Sequence, residues 1–388
     1  MNVTEMTYPD RIDEADWQHV VAALLDSEHA QVISRHCDEI FVGAGAGTHV
    51  FRVVGTADTG GSRPVDWALV VKFFTLDQRS FQSLSTDEHA WDYWKREWHA
   101  YRSPWQQQLD GPVTAPQCYG SGELEVVGEG ELVAWIAMEE LEMPHVHWAE
   151  QHFTEAARHL GMFNGRYLAE PAPEESWLSR DWLRGWTEQA AEFIPVLPAA
   201  VDHPVAGRIF TADVVDDLVQ MWEERDKFYA VLQELPRTLS HNDAYPRNLC
   251  LRERDEPESV AIDWAFCGTA PVGQELSAMV GATQVFLESP PERWGELERL
   301  CLDGYQQGLR AMGWSGADEA SAGYLLSTVL RFGVGGLPAV LSLTLTSEYR
   351  DAVTQVFGCS YDDFLANTAA VVRFQQRRIH QANALLGL

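Results

Sequence analysis

Apolar positions in the first third of the chain fall in short dense runs broken by glycine and proline, and thereafter at helical intervals of three and four. Residues 14–25 place Trp17, Val20, Val21, Leu24 and Leu25 on one side and predict an amphipathic helix. Ile40-Phe41-Val42 and Val50-Phe51-Arg52-Val53-Val54 predict two strands joined by Gly43-Ala44-Gly45-Ala46-Gly47-Thr48-His49. After a linker over residues 56–64, the run from Trp67 to Phe74 predicts a strand that carries Lys72 within apolar neighbours. Residues 86–101 read as a helix and residues 111–119 as a loop entering a strand near Cys118. Residues 132–138 read as a strand leading to Glu139-Glu140-Leu141. From Trp148 onward the pattern is helical, over residues 152–167, 180–193, 214–232, 294–312, 324–332 and 349–384, with turn-rich loops at 170–176 and 195–204. The expected class is α+β, with a strand-rich part over residues 1–141 and a helical part over residues 142–388.

At 388 residues the chain has room for two or three domains or for one two-lobed unit, and 46% hydrophobic residues suffice for a large core. Charge changes the picture more: 28 Lys and Arg stand against 58 Asp and Glu, a net charge of −30. Such a balance argues against a nucleic acid or an acidic membrane as partner, and favours a cationic one, although acidity can also serve solubility alone. Six scattered cysteines lack any Cys-x-x-Cys spacing, so neither a zinc site nor a disulfide framework is expected. Residues 1–16 have no apolar signal-peptide core, and the apolar zone 324–346 contains Arg331, several glycines and Pro338. A cytoplasmic location is the expectation.

Candidate chemistry concentrates at Ser240-His241-Asn242-Asp243-Ala244-Tyr245-Pro246-Arg247-Asn248. An aspartate five positions before an asparagine, on a loop held by an upstream histidine, can aim a carboxylate at a substrate hydroxyl while the carboxamide reaches a metal ion. Asp263, at the end of the apolar run Val260-Ala261-Ile262, is where a buried strand would present an oxygen ligand to Mg²⁺. A polar turn with Pro246 as turn former and Asn248 as cap is the competing reading of the loop. A lysine in an apolar run, as at Lys72, is rarely buried unless paired. The glycine-rich hairpin would let backbone N–H groups approach phosphates, but it matches neither Gly-x-Gly-x-x-Gly nor Gly-Lys-Ser/Thr, and a plain hairpin turn fits it equally.

Together, His241-x-Asp243-x-x-x-x-Asn248 and Ile262-Asp263-Trp264 resemble the aminoglycoside phosphotransferase and choline kinase family, relatives of the protein kinases. The resemblance spans about residues 40–280. It implies a bilobal protein-kinase-like fold, with a small β-rich N-lobe and a larger, mainly helical C-lobe, and an enzyme that moves the γ-phosphoryl group of ATP, or of GTP, with Mg²⁺. In that frame Asp243 acts on the acceptor hydroxyl, His241 supports the loop, and Asn248 and Asp263 hold the metal. Lys72 neutralises phosphate charge, paired with Glu97 of the Arg96-Glu97 dipeptide. Gly43, Gly45, Gly47 and Thr48 would cover the phosphates; Met138, the Glu139 carbonyl and the Leu141 amide would meet the adenine. Arg247 is left between a phosphate contact and a surface ion pair, and Trp264 is a candidate for the cleft wall. Gly273-Gln274-Glu275-Leu276-Ser277 resembles a family element usually written Asp-Leu-Ala, and the glutamate leaves the role of Glu275 open. The net charge and the acidic loop with Glu170, Glu174 and Glu175 point to a small, cationic, hydroxylated acceptor such as an aminoglycoside-like compound or an amino alcohol. The alternatives are a peptide Ser/Thr kinase of a natural-product pathway and a nucleotide-binding protein without turnover.

Overall fold

A computed structural model of the chain describes residues 7–40, 48–76, 84–107, 109, 111–126, 131–142, 148–253, 257–345, 353 and 357–388. Gly43, Gly45 and Gly47, and with them the turn expected over the phosphates, lie outside the described residues. The N-terminal part is an antiparallel five-stranded sheet, β1 (Gln31–Glu39), β2 (Thr48–Asp58), β3 (Val65–Thr75), β5 (Cys118–Val126) and β6 (Glu131–Glu139), in the order β1-β2-β3-β6-β5; the short β4 (Val113–Thr114) belongs to another sheet. Strand alternation divides β3 between two faces. Leu69, Val71 and Phe73 pack under α1 (Glu14–Leu24) with Trp17, Val20 and Val21, while Val70, Lys72 and Phe74 point the other way. β1 carries no apolar alternation strong enough to announce itself: it is an edge strand with a mostly exposed or half-buried sequence, Gln-Val-Ile-Ser-Arg-His-Cys-Asp-Glu.

The helix expected over residues 86–101 is confined to α2 (Arg96–Arg102). Residues 85–95 form turns instead, because the buried guanidinium of Arg96 draws backbone carbonyls around itself. It donates to Trp91 O at 2.7 Å, Trp177 O at 2.8 Å, Ala265 O at 3.1 Å and Ala90 O. One arginine thereby fixes α2 to the loop that follows Asp263.

Beyond β6 the chain is mainly helical. The helix α3 (Glu150–Ala169) crosses α7 (Trp294–Ala311) at glycine contacts. A Cβ on Gly161 would stand 2.0 Å from Tyr305 O, and one on Gly308 would stand 2.1 Å from Arg158 O, so only glycine permits this approach. The expected helix 180–193 holds as α4 (Trp182–Glu188) and then breaks into 3₁₀ turns around Pro195. α5 (Ala212–Glu234) precedes two small sheets that carry the chemistry-bearing loops. β7 (Arg237–Ser240) pairs antiparallel with β10 (Gly268–Pro271), and β9 (Glu258–Ala261) runs between β4 and β8 (Leu249–Arg252). β7 ends where His241 begins, and β9 ends two residues before Asp263.

α6 (Gln274–Val285) starts at Gly273, whose φ of 91° and whose approach to Ala320 O, 2.1 Å from a built Cβ, both require glycine. α8 (Ala317–Thr328) runs directly into a π-helical segment, Val329–Val334, and α9 (Leu337–Leu345) follows. The run Ala317–Ser342 has the length and hydropathy of a membrane span, yet its most apolar stretch is mostly buried inside the protein, as in a core helix. The last helix, α10, is Tyr361–Leu386, starting twelve residues later than the pattern suggested. Ser360 caps it, its Oγ accepting from Asp363 N.

Candidate active site

Lys72 is buried on the face of β3 opposite α1, and its Nζ lies 2.5 Å from Glu97 Oε2 and 3.2 Å from Asp263 Oδ1. Burial alone would lower the Lys72 pKa, but the carboxylates of Asp263 and Glu97 outweigh it and the net shift is upward, so the ammonium stays charged. Glu97 is pushed up by burial and pulled back by Lys72. Burial would also raise Asp263, but the charge and hydrogen bond of Lys72 oppose it and the carboxyl is held below its ordinary value. The Asp263 side chain is 43% exposed.

The loop after β7 is built by three devices. His241 is buried and burial lowers its pKa to about 4, so the ring is neutral. Its Nε2–H donates to Ile262 O at 2.9 Å, which leaves Nδ1 to accept from the Asp243 amide at 3.2 Å. The histidine thus ties the Asp243 loop to the Asp263 loop. Asn242 and Asp263 both sit in the left-handed region, at φ 66° and 63°, conformations that Asn and Asp tolerate best among residues with a side chain. Asn242 is locked by donating to Phe266 O and accepting from Gln274 Nε2, at 2.9 and 2.8 Å. Finally, Tyr245-Pro246-Arg247-Asn248 is a turn closed by Asn248 N–H to Tyr245 O at 2.8 Å, with proline at its second position.

That turn brings Asn248 back to Asp243. The carboxamide nitrogen donates to Asp243 O and to Asp243 Oδ2, both at 2.9 Å, so Oδ1 of Asn248 is the atom left for a metal. The Ile262 amide donates to Asn248 O at 2.9 Å and places the Asp263 loop alongside. Two hard oxygen donors on adjoining loops fit Mg²⁺ shared with nucleotide phosphates. Among the described residues no cluster of three or more His, Cys, Asp or Glu is arranged to hold a metal by itself. The other oxygen of Asp243, Oδ1, accepts from Arg331 Nη2 at 2.6 Å. Burial raises the Asp243 pKa to about 6, against the pull of Arg331, so the carboxylate is ionised at neutral pH.

Some expected roles fall away. The Arg247 guanidinium is exposed, engaged by Glu288 2.6 Å from Nε, and lies over the Phe286 ring, so here it forms the surface ion pair. Trp264 is fully buried against Trp105, Phe163 and His241 and does not line a cleft. In the acidic loop, Glu175 accepts from Ser103 at the end of α2 and Glu170 pairs with Arg166, which places this loop against α2 and α3. At the end of β6, Met138 is buried, the Glu139 amide donates to Gln117 O, the Glu139 carboxylate pairs with Arg252, and Leu141 is half-buried. Thr48 opens β2 opposite Phe74.

Glu275, whose role the sequence left open, proves to be an anchor. Its buried carboxylate accepts from the amides of His241 at 2.6 Å and Asn242 at 3.0 Å, and burial raises its pKa to about 7. Glu275→Gln would turn one acceptor into a donor facing a buried N–H. The expected loss is about 1–3 kcal/mol in urea unfolding, together with a fall in kcat. Wild-type values for both would remove Glu275 from the support of the loop.

Several solved structures share this architecture. An amicoumacin kinase solved with AMP-PNP, Ca²⁺ and Ami superposes with a TM-score of 0.52 at 17% identity, over 88% of this chain and 91% of that one. An aminoglycoside phosphotransferase from Alicyclobacillus acidocaldarius subsp. acidocaldarius gives 0.52 at 12% identity, over 99% and 98%. At these identities the likeness establishes the protein-kinase-like fold. No curated protein matches the chain in sequence. A family model described as a phosphotransferase enzyme family matches residues 41–314. That span holds Lys72, Glu97, the loop from His241 to Asn248, and Asp263, and on it the chain belongs to the phosphotransferase enzyme family.

Proposed function

We propose that this phosphotransferase moves the γ-phosphoryl group of ATP to a hydroxyl of a small molecule, with Mg²⁺ held by Asn248 Oδ1 and Asp263, inside the cytoplasm. The observation that carries the reading is the convergence of Asp243, fixed at both oxygens, with the Lys72–Glu97–Asp263 cluster on loops joined by His241 to Ile262 O and by the Ile262 amide to Asn248 O. Asp243 orients the acceptor hydroxyl and takes its proton as the new O–P bond forms and the bond to the ADP oxygen breaks. Lys72 places a permanent positive charge beside the phosphates. A bound Mg²⁺ would neutralise charge on the transferring group. Because the transition state is loose, position and electrostatics matter more than the strength of Asp243 as a base.

For the acceptor we keep a cationic polyol or amino alcohol, supported by the net charge of −30. The acidic loop at 170–176 gives no such support, since it packs on α2. A panel of cationic and neutral hydroxylated compounds, nucleosides and Ser/Thr peptides, scored by ADP release at low and high salt, tests the reading. The expected hit is a cationic compound whose kcat/KM falls as ionic strength rises. Turnover of neutral sugars or peptides without salt dependence would make the acidity a bulk property. Nucleotide binding without turnover of any compound would favour the catalytically silent alternative.

A further inference from the structure

We infer that Arg331 is the positioning residue of Asp243, holding both its carboxylate and the main chain before it in the geometry that transfer requires. The inference rests on Asp243 acting on the acceptor, as proposed above. The Arg331 side chain is 6% exposed, and its two terminal nitrogens are divided between two targets. Nη2 donates to Asp243 Oδ1 at 2.6 Å and Nη1 donates to Asn242 O at 2.5 Å. With Asn248 on Oδ2, the carboxylate is clamped from both sides and cannot rotate.

The backbone under Arg331 is specialised for this reach. Val329–Val334 is π-helical, with Gly335 N–H donating to Leu330 O at 2.9 Å, five residues back. A π turn widens the helix by one residue and re-aims the side chains it carries, and such turns are frequent at functional sites. The Arg331 carbonyl accepts from Trp186 Nε1 at 3.3 Å, so α4 supports the widened turn. The guanidinium itself lies 4.5 Å from the Trp182 ring centre and 5.0 Å from that of Phe332. A flat cation between aromatic faces is a fixed one, and lysine, a point charge without the planar fork, cannot bridge Asp243 and Asn242 in the same way.

The test uses the full-length chain with Arg331→Ala and Arg331→Lys. Both are expected to lower kcat, by about 100-fold for alanine, in line with small displacements of a reacting group. KM for ATP and the affinity for AMP-PNP should stay within about threefold. Amide hydrogen exchange over residues 242–248 should quicken in both variants. Millimolar ethylguanidinium, entering the slot between Trp182 and Phe332, should restore about tenfold of the lost kcat in Arg331→Ala and none in Asp243→Asn. Unchanged kcat, unchanged loop exchange, or a loss of AMP-PNP affinity equal to the loss of kcat would overturn the inference. So would wild-type kcat in Arg331→Lys alongside an unfolded Arg331→Ala. If the wild-type protein phosphorylates nothing in the panel, the phosphotransfer reading fails by itself, and loop exchange still decides whether Arg331 holds the loop.

Discussion

Replacing Asp243 with asparagine is expected to lower kcat by about 10²–10⁴-fold while leaving the Kd for Mg·ATP within about threefold. On the proposed reading Asp243 serves the acceptor and not the nucleotide: its oxygens are held by Arg331 and Asn248, and Lys72 reaches Asp263 instead. Asparagine is the more conservative substitution because its carbonyl oxygen can still accept from Arg331, while its amide nitrogen then faces the Asn248 donor and the counter-charge is lost. Asparagine and alanine both remove the counter-charge of Arg331, and alanine also removes both acceptor oxygens; breaking such a pair costs about 3–5 kcal/mol, most of it expected in alanine. The melting temperature of each variant shows how much of its loss in rate is a loss of stability. Single-turnover rates, calorimetric nucleotide binding and thermal melting would be compared for both. A variant that loses ATP binding but keeps its residual rate would place Asp243 on the nucleotide side and undo the assignment of roles.

The contacts legible in the sequence are those that need a particular residue type at a fixed place. Lys72 stood out because a lysine in an apolar strand demands a partner, and Glu97 is that partner at 2.5 Å. The loop from His241 to Asn248 and Asp263 were legible as polar residue types at fixed spacing, and the fold sets the two loops side by side. Other parts were hidden for physical reasons. β1 is an edge strand with one shielded side, so its residues carry little of the period-two signal. The turns over residues 85–95 follow from carbonyls gathered by Arg96, a contact set by residues as distant in sequence as Ala265. Arg331 did leave a trace: a lone charge in an apolar zone of about twenty residues calls for a buried partner, as Lys72 did. Its partner lies 88 residues away, and no local pattern names it. Glu275 shows the converse: it was singled out within a recognised family element, but its contacts with the amides of His241 and Asn242, more than thirty residues away, appear only in the fold.

Asp263→Ala should act on the nucleotide side, raising the Mg²⁺ concentration for half-maximal turnover by about 10–100-fold and weakening ATP binding in step. The geometry separates this effect from a folding defect. Without Asp263, Lys72 keeps Glu97 at 2.5 Å, so the buried ammonium retains a counter-charge and β3 stays joined to α2. His241 still bridges to Ile262 O, a backbone atom that the substitution does not touch, so the two loops remain side by side. Asp263 also holds a left-handed backbone conformation at φ 63°, which alanine tolerates less well than aspartate, and Asp263→Asn controls for that strain because asparagine accepts the same region. Both variants should therefore melt near the wild type, with alanine slightly lower, and both should need more Mg²⁺. A Mg·ATP titration of Asp263→Asn that overlays the wild type would take Asp263 out of the metal site and leave Asn248 as the sole protein oxygen there.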